Sequence, residues 1–376
     1  MSLSTLFSDA ISRLTVPTVS ASSSRETTID LSHVPPDLRR LVRDRRYAQL
    51  LTPANSVGVE SSALDCIWGF LEHDMAWVPG GLIARDHLVA TSPAGDPQLV
   101  RQVGETAEIE AFYLDRDCVT EGDFDRFVQA GGYEDPVFWP EAIPPNVLQF
   151  LDQSGMPGPA HWQNGRPNKD RQKHPVTGIC WYEANAYATW AGKRLPNSLQ
   201  WRRAGSWHHD HAGDRSETKY PWGNAFDPDF ANLWGHGTGD TLPVDSPNRG
   251  ATPNGVRHLI GNVWEWMDTQ FEPLGDGATQ MYLDQVMAEI RGGAFDTYFA
   301  VQATLQFSSG QPLLYRGNNI GFRCCVATSD LIQRRNAASK ADVVATVQQR
   351  LAGTELQGRL HGEIGIERTA TDFGHD

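Results

Sequence analysis

From Met75 to Val326 the chain is broken every few residues by glycine, proline or tryptophan, and this punctuation limits its folding more than any other feature. The whole sequence holds 35 Gly, 23 Pro and 12 Trp. Proline removes a backbone donor and fixes φ, and glycine admits left-handed turns, so such interruptions exclude long bundle helices. They also leave no room for the regular alternation of strands and long helices in a doubly wound sheet. What remains is an α+β chain of short strands, two main helices and much irregular loop. The first helix is predicted from Thr120, an N-cap, with Phe124 and Phe127 three apart on one face. The second spans 181–191, where Ala184, Tyr187, Ala188 and Ala191 share a face and Gly192 stops it before Pro196. Trp181, Trp201, Trp222, Trp264 and Trp266 are expected to pin the loops as core aromatics.

The flanks have a different texture. Residues 1–73 begin Ser/Thr-rich, pass the pair Pro35 and Pro36, and continue through an Arg-rich stretch and an apolar run, Ala63 to Leu71; they read as a partly helical extension. Residues 329–376 read as a helical tail, with Asp330 as N-cap and Gly353 as stop. The domain proper is then 74–328. Hydrophobic residues make up 40% of the chain, enough for a core. Against 32 Lys and Arg stand 46 Asp and Glu, a net charge of −14. That balance repels phosphate backbones, and the basic run Arg39–Arg46 is too short to reverse it, so no nucleic-acid partner is expected. No apolar run approaches the roughly 18 residues of a membrane span, and no leader is evident; the expected setting is cytoplasmic. The cysteines Cys66, Cys118, Cys180, Cys324 and Cys325 are odd in number and lack CxxC spacing, which suits neither a disulfide scaffold nor a zinc site.

Eight motifs follow one another through the middle region: MAWVPGG (75–81), CVTEGDFDRF (118–127), CWYEANAYATWAGKRLPNSLQWRRAG (180–205), YPWGN (220–224), ANLWG (231–235), GNVWEW (261–266), RGGAF (291–295) and NIGFR (319–323). In this order they resemble the sulfatase-modifying-factor family, the formylglycine-generating-enzyme-like domain built on a C-type lectin-type fold. The resemblance implies that fold. It also implies an oxidase whose copper is held by a pair of cysteines between RGG and GFR, because soft Cu(I) needs paired thiolates. Here the two positions are Thr297 and Gln302, and the segment has no cysteine. Cys324 and Cys325 are adjacent and follow GFR, and read as buried structural thiols. The expectation is therefore a protein that is not an enzyme; the alternative is a formylglycine-generating-type oxidase, or a related oxygenase, with atypical metal ligands.

Two further metal centres belong to the resemblance. An iron-dependent, sulfoxide-forming type needs three histidines on an N-terminal bundle, and the extension offers His33 and His73. The run His208, His209, Asp210, His211 reads as a solvated loop. For calcium the family's ligand positions fall on Gly261, Val263 and Glu265, with His258 where the family has Asn. That admits one Ca2+; no other cofactor is expected. The second calcium site, beginning at Asn232 and Leu233, is not expected, because the loop that carries its carboxylate is shortened.

A scaffold without its catalytic ligands suits a binding module. Phe295, Asp296, Thr297, Tyr298 and Phe299, followed by Leu313, Leu314, Tyr315, Arg316, Gly317 and Asn318, combine aromatic and small polar residues as adaptable binding surfaces do. Val301–Phe307 between them alternates and reads as a core strand. The placement of 294–319 just before IGFR also resembles the target proteins of diversity-generating retroelements. In those, adenine-directed mutation of Asn-type codons reaches Phe, Tyr, Leu, Asp, Thr, Arg, Gly and Asn, the types found in both clusters. The implied function is a retroelement variable protein that displays a diversified surface to a protein or other macromolecular ligand.

Overall fold

The computed structural model describes residues 13–17, 26–30, 34, 36–84, 87–91, 98–102, 106–140, 143, 149–209, 218–272 and 285–333. The predicted tail helix lies outside them, apart from a single 3-10 turn at Thr328–Asp330. In chain order the elements are β1 (Arg13–Pro17), β2 (Glu26–Asp30), α1 (Pro36–Arg43), α2 (Tyr47–Leu50), α3 (Ser61–Asp74), β3 (Met75–Val78), β4 (Gly81–Ala84), β5 (His87–Thr91), β6 (Gln98–Gln102), β7 (Thr106–Ile109) and β8 (Phe112–Asp115). They continue with α4 (Glu121–Gln129), α5 (Trp181–Trp190), α6 (Ser198–Ser206), β9 (Trp264–Gln270), β10 (Met287–Arg291), β11 (Ser309–Pro312), β12 (Ile320–Gly321) and β13 (Cys325–Ala327).

Helix α4 forms after its predicted cap Thr120, and α5 forms where its shared face and the Gly192 stop predict. Thr120 accepts from the Asp123 amide and Asp123 reaches back to the Thr120 amide, a reciprocal cap that satisfies two otherwise orphaned donors. Glu183 does the same for α5 by accepting from the Cys180 amide at 2.9 Å. A third helix, α6, was not predicted: RLPNSLQWRRAG looks too polar. Yet Asn197 and Gln200 form a further capping box, and Trp201, Ala204 and both arginines of the helix are buried. Tertiary packing overrides polarity here, because the whole helix is enclosed.

Two small sheets carry the frame. One has the order β11-β10-β9-β12, with β9 antiparallel to β10 and parallel to β12; the other has the order β13-β8-β3. The main core lies between the four-stranded sheet and helices α4 and α5. Phe124 stacks on Tyr187 with centroids 5.6 Å apart, and Tyr187 meets Phe322 edge-on at 5.4 Å. Each such ring removed from water contributes about 1.5–3 kcal/mol. Trp201, Trp264 and Trp266 are buried as expected, whereas Trp181 and Trp222 are half-exposed. A second core joins Tyr47, Trp68 and Leu71 of the N-terminal helices to Met75, Tyr113 and Val326 of the three-stranded sheet. Arg45 ties that segment down through Asp74 and Asp123, each at 3.3 Å. No helix among the described residues is long and apolar enough to cross a membrane.

Candidate functional site

Strand β10 ends at Arg291 opposite Glu265, and β12 begins at Ile320 opposite Trp264. The chain between them therefore leaves and re-enters the sheet at the same end of β9. Gly292 makes the exit possible: its φ is +96°, and a Cβ there would sit 2.5 Å from the Leu259 carbonyl oxygen. The two clusters then meet, since the Asn319 amide donates to both Asp296 carboxylate oxygens at 2.9 and 3.1 Å.

Not every residue named from sequence faces solvent. Tyr298 and Phe299 are 70% and 60% exposed, their rings edge to face at 5.1 Å, and Leu314 and Tyr315 are 53% and 46% exposed. Asp296 and Asn318 are exposed; Phe295 and Leu313 are half-buried. Thr297, by contrast, is buried, and its hydroxyl accepts from the Ala294 amide at 2.8 Å, so it shapes the turn instead of presenting a side chain. Gly317 is also buried, with the Tyr315 ring only 2.8 Å from where a Cβ would be. Arg316 turns inward: its guanidinium lies 2.9 Å from the wholly buried Glu183 and donates to the carbonyls of Leu151 and Gly158. Burial raises the Glu183 pKa, and Arg316 and the Tyr133 hydroxyl oppose that shift. Val301–Phe307 is not a strand: a 3-10 turn at Ala300–Gln302 leads into bends, where Ala303 and Leu305 are buried.

Two exposed residues that the sequence did not single out adjoin this face. Trp234 is 56% exposed and its amide donates to the Thr297 carbonyl; Leu151 accepts from Arg316 through its carbonyl. The motif ANLWG reads as scaffold, and nothing in it signals that the ring points outward. With Arg316 paired inward, Asp296 is the remaining charge within the two clusters, so the face is aromatic and nearly neutral on an acidic chain.

At the copper positions, Thr297 is committed to its turn and Gln302 is a half-buried side chain on a 3-10 turn. Cys118, Cys180, Cys324 and Cys325 are buried, and burial raises their thiol pKa values, Cys325 to about 12. His33 lies outside the described residues, and His73 pairs with Asp74 at 2.9 Å. His208 is buried, not solvated: its Nε2, like that of His209, points at the Pro221 carbonyl, and burial lowers its pKa to about 3. Asp210 and His211 lie outside the described residues.

Calcium does not fit the arrangement around Gly261, Val263 and Glu265. The Glu265 carboxylate is fully buried and accepts from Arg323 on both oxygens, at 2.7 and 2.8 Å. Trp201 Nε1 adds a third donor at 2.9 Å and the Cys118 thiol a fourth at 3.5 Å. A carboxylate offers about four lone-pair sites, and all are taken. The Gly261 carbonyl accepts from the Val263 amide. His258 Nδ1 lies 2.8 Å from the Asn248 side-chain nitrogen, so that ring nitrogen already has a protein partner. Among the described residues, no group of three or more His, Cys, Asp or Glu could hold a metal ion.

Residues 70–328 match the family described as Sulfatase-modifying factor enzyme 1-like domain. Hercynine oxygenase of Mycobacterium tuberculosis is 33% identical over 175 residues, covering 44% of this chain and 39% of that protein. Formylglycine-generating enzyme of Mus musculus is 31% identical over 215 residues, covering 47% of this chain and 55% of that protein. The chain thus spans about two fifths to about half the length of these curated relatives. Among solved structures, PvdO from Pseudomonas aeruginosa aligns with a TM-score of 0.43 at 20% identity, over 67% of this chain and 93% of that one. Treponema denticola variable protein 1 aligns with a TM-score of 0.42 at 15% identity, over 67% and 94%.

Proposed function

Since the chain belongs to the sulfatase-modifying factor enzyme 1-like family and has Thr297 and Gln302 where that resemblance places copper-binding cysteines, we propose that it is a non-enzymatic binding protein. In this reading it displays a diversified surface on a C-type lectin-type scaffold to a protein or other macromolecular ligand. The single observation that carries the reading is the exposure of Tyr298, Phe299, Leu314 and Tyr315 on loops whose neighbours are locked inward. Large apolar side chains exposed together mark interaction surfaces, and Tyr supplies wide contact area for little entropy. Trp234 extends the same face, and the half-buried Phe295 and Leu313 support it from below. The setting we propose is cytoplasmic.

The encoding locus tests this directly. A near-identical template repeat beside a reverse transcriptase, differing from the gene at adenines, is the expected finding. Substitutions between isolates should then fall on 296, 298, 299, 314, 315 and 318 and spare Thr297, Arg316 and Gly317. A locus with no such repeat removes the diversification. An oxidase remains the competing reading, and stoichiometric Cu(I) binding together with oxidation of a cysteine peptide by the purified chain would overturn the non-enzymatic one.

A further inference from the structure

The family resemblance counts Glu265 among its calcium ligands, yet here that carboxylate is bound by protein donors. Arg323 and Glu265 are both 0% exposed. Besides its two bonds to Glu265, the Arg323 guanidinium donates to the carbonyls of Asp115 and Arg116, each at 3.0 Å, and of Arg257 at 2.9 Å. Five donor contacts use all five N–H groups of the side chain. One positive group thus gathers three backbone carbonyls and a carboxylate from three chain segments: the end of β8, the loop at 257 and β9. That is the hard-oxygen set a calcium ion would collect.

We infer that Arg323 acts as a built-in cation in this chain, so that the lectin-type core and the two display loops assemble without calcium. The loops depend on this node by short links. The Phe295 amide donates to the Asn262 carbonyl and the Trp264 amide donates to the Asn319 carbonyl, so both loops hang on residues within three positions of Glu265. The charge count agrees: one buried carboxylate is matched by one buried guanidinium, and a divalent ion added there would meet a cation with no carboxylate left to neutralise it. Lysine cannot stand in for Arg323, because an ammonium has three donors and no planar fork to span Glu265 and three carbonyls. The inference concerns the scaffold and holds whether or not the exposed face proves to bind a ligand.

The test needs no ligand. The full chain, dialysed against EDTA and then given millimolar calcium, should melt at temperatures that agree to about 1 °C. Metal analysis after gel filtration in calcium should find far less than one ion per chain. A structural calcium ion at 100 to 1,000 times its dissociation constant would instead raise the melting temperature by about 5–15 °C. Such a rise, or stoichiometric calcium, would overturn the inference. In a second arm, Arg323→Lys should melt well below the parent protein in EDTA and in calcium alike; recovery of the parental melting temperature on adding calcium would equally overturn it. Because these readouts ignore ligand, failure here leaves the binding proposal standing, and a failed binding proposal leaves these expectations unchanged.

Discussion

Residues 291–323 contain two regions under opposite physical regimes. Arg316 and Arg323 are turned inward onto buried carboxylates and Arg291, itself buried, onto the half-buried Glu289, while Tyr298, Phe299, Leu314 and Tyr315 stand in water. The charged side chains build the framework and the aromatic ones build the surface, the reverse of the usual partition. The lesson is that the two can change separately: each inward arginine fixes a loop by its backbone path, so neighbouring side chains are free to differ without altering the fold.

The sharpest way to break this contrast is Arg323→Met, which strands the Glu265 carboxylate in the core. A loss of about 3–5 kcal/mol is expected, read as a lower urea midpoint. Arg316→Ala should cost less, about 2–3 kcal/mol, because its side chain is 16% exposed and water can reach part of the gap. A result near zero would mean that Arg316 belongs to the displayed face after all. Acid should act on the framework alone. The His208 pKa is lowered to about 3 from 6.5, so the unfolded chain binds the extra proton as pH falls through that window. Stability from this group is complete above about pH 6.5 and drops by roughly 2 kcal/mol by pH 5; His208→Gln should flatten the slope. Smallest of all is the expected effect of Tyr298→Ala with Phe299→Ala, within about 0.5 kcal/mol for each exposed ring. A cooperative loss larger than 2 kcal/mol in that double variant would place the pair in the core and dissolve the comparison.

How far the site was legible depended on the kind of signal. The Thr120 cap, the Phe124–Phe127 pair and the shared face of Ala184, Tyr187, Ala188 and Ala191 are patterns within a few positions of the chain, so α4 and α5 are legible in the sequence. Helix α6 was missed because its arginines look solvent-facing, and only distant partners enclose them. Residue type points Tyr298 and Phe299 to the surface and the structure leaves them in solvent, but Thr297, immediately before them, has the same expectation and is buried. Alternation in VQATLQF suggests a strand, yet among the described residues the segment pairs with none and opens on a 3-10 turn.

The sequence by itself determined the α+β texture, the two capped helices, the family order of motifs and the absence of thiols at Thr297 and Gln302, because each rests on residue type or on contacts within a few positions. Which side chains of 295–318 face solvent, and what neutralises Glu265, was decided only in three dimensions. Arg316 and Glu183 are 133 residues apart and Arg323 and Glu265 are 58 apart. A buried charge is tolerated only where its partner is delivered by the rest of the fold, and no local pattern in the chain encodes that delivery.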